Sequence, residues 1–79
     1  MGYKPRHRRV TVYWKDSAVQ GGWNEEHELT GLADIATTGY VVKRTPEAIT
    51  VAGSVSEGDM FGEAITIPMV CVRRIERLR

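Results

Sequence analysis

Residues 35–55 read Ile-Ala-Thr-Thr-Gly-Tyr-Val-Val-Lys-Arg-Thr-Pro-Glu-Ala-Ile-Thr-Val-Ala-Gly-Ser-Val. Two runs rich in β-branched residues flank the turn Thr45-Pro46-Glu47-Ala48. Proline at the second position of a four-residue turn pre-sets φ for a type I turn. The stretch predicts an antiparallel hairpin of strands over 35–44 and 48–55. Gly39 and Gly53 each interrupt a strand, and an interior glycine marks a bulge or a sharp bend. In the second strand Ile49, Val51 and Val55 are expected to face inward.

Working outward, Val10-Thr11-Val12-Tyr13-Trp14-Lys15 alternates cleanly. Val10, Val12 and Trp14 share one face of a predicted first strand, and Thr11, Tyr13 and Lys15 share the other. Asp16 and Ser17 end it, because their side chains compete locally for backbone hydrogen bonds. Beyond the hairpin, Ser56-Glu57-Gly58-Asp59 reads as a turn and Met60–Ile67 as a fourth strand, ended by Pro68, which has no N–H to donate. Residues 70–78 are ambiguous. Val72, Ile75 and Leu78 have helical spacing, whereas Val70 and Val72 fit a strand. The β-branched content and the preceding Pro-containing turn favour a strand.

The expected fold class is therefore all-β: a small, five-stranded, strongly bent antiparallel barrel with a long loop over 16–34. Closure of the sheet removes its open edges, the usual solution in a small all-β protein. The domain plan is a flexible basic arm over 1–9 and one small β-barrel domain over 10–79.

Composition bounds the function. The chain has 79 residues, of which 42% are apolar and 27% charged. A chain this short buries only about 60–65% of its unfolded surface, so association of subunits would add needed stability. No run approaches the roughly 20 apolar residues of a membrane helix, and no secretory signal is evident. The expected location is the cytoplasm, with no membrane partner. Cys71 is the only cysteine, which excludes an internal disulfide and a cysteine zinc cage. It reads as a small hydrophobe within Met69-Val70-Cys71-Val72.

Charge is unevenly distributed. Residues 1–9 carry four basic groups, and residues 73–79 carry four basic groups against Glu76, for net charges of +4 and +3. Residues 10–72 hold three basic and nine acidic groups, for −6. Two basic ends on an acidic body suit either solubility of the termini or an anion-binding surface.

Candidate chemistry centres first on Asp16–Leu29, DSAVQGGWNEEHEL. His27 lies among Glu25, Glu26 and Glu28, but neighbouring residues diverge, and the second histidine of a zinc-binding helix is missing. No metal site is assigned. Ser17, Ser54, Ser56 and Cys71 are the available nucleophiles; no base and orienting acid accompany them in pattern, and no Gly-x-Ser-x-Gly elbow occurs. Gly21-Gly22 lacks the Lys-Ser/Thr element of a phosphate loop. The chain is expected not to be an enzyme; no catalytic residue and no cofactor is named. Trp23 remains singular, read either as a lid folded on the domain or as a contact to a partner.

Binding is the stronger class. Small barrels pair basic residues with aromatic platforms on which bases stack. Lys43, Arg44, Arg73 and Arg74 are the candidates to neutralise phosphate, and Tyr13 and Trp23 to stack. The acidic body disfavours broad duplex binding. Open edge strands and Trp23 also favour protein association, with a homo-oligomer expected and a host protein as a further candidate partner.

The segments VTVYWKDS, TTGYVVKRTPEAITVAGSV and AITIPMVCVRRIERL resemble, in the order of their elements, the Sm-like and SH3-like small barrels. The resemblance is one of architecture. No Asp-x-x-Asn motif stands in the second and third strands, so it carries over no uridine pocket. The combination VYWKDS, GW, GYVVKR, ITVAGSV and ITIP also looks like short proteins encoded by bacteriophages and prophages. That resemblance implies an accessory binding role: sequestering a nucleotide signal of host defence, or binding nucleic acid or a host protein. It assigns no residue.

Overall fold

A computed structural model describes residues 2–17 and 32–79. The elements are β1 (Arg9–Ser17), β2 (Leu32–Arg44), β3 (Ala48–Val55), β4 (Phe61–Pro68), a 3-10 turn (Met69–Cys71) and β5 (Val72–Arg77). The fold is all-β, with five antiparallel strands in one sheet in the order β4-β3-β2-β1-β5. Among the described residues no helix is long and apolar enough to cross a membrane.

The sheet curls strongly. Strand β2 pairs with β1 through Arg9↔Tyr40 and with β3 from Tyr40↔Ala52 onward, so one strand serves two partners in succession. Gly39 stands at the change of partner. A Cβ there would lie 2.6 Å from the Ala52 carbonyl oxygen, a separation real Cβ atoms do not show. Only glycine admits this close approach of backbone to backbone. Gly53 has no such need, since a Cβ there would meet only the Glu63 side chain at 3.4 Å. The ladder between β3 and β4 omits the Gly53–Glu63 pair, and the unusual backbone belongs to Glu63, whose φ is 55°.

The curl makes a core from a single sheet. Val10, Val12 and Trp14 of β1, Ile49 and Val51 of β3, and Ile67 of β4 form one buried cluster. In a flat sheet strands β1 and β3 would lie roughly 10 Å apart with their side chains parallel. The connection from β4 to β5 demands the same curl. These strands occupy opposite edges, roughly 19 Å apart if the sheet were flat. Yet only Met69–Cys71 separates them, and a 3-10 turn advances about 2 Å per residue. The two edges must therefore approach at this corner.

They do not zip together. Closure into a barrel was the expectation, and the sheet remains open: β4 and β5 each have one strand partner. Pro68 has no N–H, and the Met69 N–H donates to the Glu47 carbonyl at 2.8 Å, which ties the corner to the β2–β3 turn instead. No ladder starts where the edges meet. The final segment is a strand, as its β-branched residues predict. Val72 and Ile75 share the inner face although three positions apart, because the register with β1 shifts at Tyr13/Trp14 and leaves Arg73 extra. A bulge, not a helix, produces the apparent helical spacing.

The basic arm is in contact with the sheet. Arg6 pairs with Asp59 at 3.0 Å, the His7 and Phe61 rings meet edge-on at 5.2 Å, and the Arg8 carbonyl accepts the Val41 N–H at 2.8 Å. Trp14 is buried without an unpaired indole, since its Nε1–H donates to the Thr37 hydroxyl at 3.0 Å.

Candidate anion-binding groove

The inner face is apolar at one end and becomes basic towards the chain termini. There it opens into a groove of about 750 Å³. Its floor is Val10, Val41, Ile49, Met69, Val72 and Ile75; its rim is Arg8, Arg44, Arg73, Arg74 and Arg77. Among the described residues no carboxylate lines it.

Strand register explains the rim. Directly opposed residues share a face of the sheet. Arg77 opposes Val10, and Arg44 opposes Ile49, so both follow inward-facing positions. Arg44 gets there through a bulge. The register between β2 and β3 shifts between Val41 and Lys43, which reverses the alternation after Val41. Without it Lys43 would face the groove and Arg44 the outside. With it, Lys43 pairs with Thr50 on the face where the Thr50 and Thr66 hydroxyls meet at 2.8 Å. Alternation carried back from Val10 places Arg8 on the inner side as well. Arg73 is the extra residue of the β5 bulge, and its Nη1 donates to the Val70 carbonyl at 3.2 Å.

The five guanidinium groups are not equivalent. Arg74 is engaged: its guanidinium lies 4.5 Å from the Tyr13 ring centroid and 3.9 Å from the Glu76 carboxylate. Among the described residues Arg8, Arg44 and Arg77 make no ion pair. These three present donors over an apolar floor, an arrangement that suits a planar apolar body carrying phosphate or carboxylate.

Arg44, Arg73 and Arg74 all line the groove, but Arg74 opposes Tyr13 and turns its guanidinium to the outer face, where Lys43 also lies. Tyr13 lies beside Arg73 in a separate shallow concavity of about 260 Å³, with one ring face under Arg74 and its hydroxyl 3.4 Å from Glu76. Trp23, like His27 and the rest of 18–31, lies outside the described residues. Arg8 and Arg77 were not singled out by sequence reasoning. The signal was present in the parity of Arg8 with Val10, but Arg77 needed the β1–β5 register.

Among the described residues no three His, Cys, Asp or Glu side chains gather as metal ligands. No family model, no curated protein and no solved structure matches the chain.

Proposed function

We propose that this protein is a non-enzymatic binding protein whose arginine-rimmed groove takes an anionic nucleotide or nucleic-acid ligand. The observation that carries the reading is the rim itself: Arg8, Arg44, Arg73 and Arg77 around an apolar floor, with no lining carboxylate among the described residues. These arginines are exposed, and like charges gathered along one rim repel, a cost that an anion would offset. The floor offers a dry surface to a base, and guanidinium planes stack on bases as aromatic rings do. Arg8, Arg44 and Arg77 neutralise phosphate, with Arg73 supporting at the β5 side.

The reading includes a homo-oligomer in the cytoplasm. Two open sheet edges support self-association, and the β4 edge carries Phe61 and Ile65, 38% and 37% exposed. The resemblance to short phage proteins supports an accessory role, including sequestration of a nucleotide signal. The second reading is a protein-interaction module without a small ligand. It is favoured by Val70 and Met60, which are 86% and 73% exposed.

Thermal shift at low salt against mononucleotides, cyclic dinucleotides and short oligonucleotides tests the ligand. A shift that disappears in Arg44→Ala supports the groove; no shift with any of them promotes the protein-partner reading. Light scattering after size exclusion tests assembly, and a monomer at high micromolar concentration would count against it.

A further inference from the structure

The two basic ends of the chain, far apart in sequence, form one surface. Antiparallel pairing of β1 with β5 sets them side by side: the Leu78 N–H donates to the Arg9 carbonyl at 2.9 Å, and the Arg9 guanidinium donates to the Arg79 carbonyl at 3.1 Å. Between them lies a second concavity, about 340 Å³, bordered by Lys4, Arg6 and Arg9 from the arm, Arg79 from the end, and Tyr40. Among the described residues no Asp or Glu side chain lines it. Arg8 and Arg77 line both this concavity and the groove. The two therefore meet around the end of the sheet, with the groove on the inner face and Arg9 and Tyr40 on the outer face.

We infer that the ligand is a single strand of nucleic acid several nucleotides long, running from the groove across the joined chain ends. This rests on the anion-binding reading of the groove and extends it. A mononucleotide would fill the groove and leave Lys4, Arg9 and Arg79, which border the second concavity, without a phosphate. Cations crowded at one end of the sheet repel, and a chain of phosphates relieves that repulsion at every step while releasing its counterions. The track has the required length. From Arg73 to Arg79 is six residues, or roughly 20 Å of extended chain. Single-strand-binding OB-folds take about four nucleotides at the low end of their range, a length comparable with this track. Apolar floor at one end and Tyr40 at the other provide places for bases to stack, which a duplex keeps inside its helix.

The test is fluorescence anisotropy of the full chain with labelled oligothymidylates of one, two, four and eight nucleotides at low salt. Affinity should climb steeply to about four nucleotides and then level off. The salt dependence for the eight-mer should show a slope of about −0.7 for each phosphate contacted. Lys4→Ala combined with Arg79→Ala, both exposed positions remote from the core, should weaken the eight-mer about tenfold and leave thymidine monophosphate unchanged. An eight-mer bound no better than the mononucleotide, or unaffected by the double substitution, overturns the track and leaves the groove reading standing. Preference for a duplex, or binding of phosphatidylserine vesicles in place of oligonucleotides, overturns it too. Absence of binding by every nucleotide and oligonucleotide removes both readings together.

Discussion

The buried cluster and the groove are neighbours built from the same strands, and Val10 and Ile49 belong to both. In the cluster, strict alternation continues: Ile49, Val51 and Ile67 point inward and are essentially inaccessible. In the groove, the alternation is broken twice, at Val41/Lys43 and at Tyr13/Trp14. One side of the inner face is thus filled by buried apolar side chains, most of them β-branched. The other is walled by arginines, whose charged heads stay near water while their stems cover apolar surface. The groove comes from interrupting a repeat that elsewhere makes core.

The largest effect should come from emptying the filled side. Ile67→Ala removes a fully buried side chain and should cost about 2–5 kcal/mol, read from urea unfolding. An unchanged midpoint would mean that the curl leaves this side as open as the groove. Next, Gly39→Ala forces a methyl against the Ala52 carbonyl. We expect a loss of about 1–3 kcal/mol, measured as a lowered Tm. A neutral result would break the claim that the change of partner along β2 needs this close approach.

The groove should respond in the opposite sense. Arg44→Ala should weaken nucleotide binding about tenfold while leaving stability within about 0.5 kcal/mol. Lys43→Ala, one residue away on the other face, should do much less to binding. Equal losses from the two would erase the distinction the β2 bulge makes. Smallest of all, Arg6→Ala breaks an ion pair whose arginine side chain is 77% exposed. Exposed pairs contribute about 0–1 kcal/mol, so thermal unfolding should scarcely move.

Much of this was legible beforehand. The alternation Val10, Val12, Trp14 and the Pro46 turn define strands without tertiary context, and β3 begins and ends where its residues predict. Gly39 announced a bend. Three of the candidate cations, Arg44, Arg73 and Arg74, line the groove. Gly53 misled, because an interior glycine also occurs where the ladder merely lapses. Lys43 misled for a different reason. Adjacent basic residues on a strand point to opposite faces, and a single extra residue decides which one enters the site. No local pattern in Val-Val-Lys-Arg marks where that extra residue falls.

What the sequence by itself determined is the local chemistry: five strands, their apolar faces, the turns, and two basic ends on an acidic body. Backbone dihedral preference and side-chain alternation act within a few residues, so one dimension carries them. Whether the sheet closes, which arginines face inward, and that both chain ends share one surface were decided only in three dimensions. Each depends on register between strands distant in sequence. Register shifts by one residue reverse every face beyond them, and the packing of β1 against β5 joins residues some seventy positions apart.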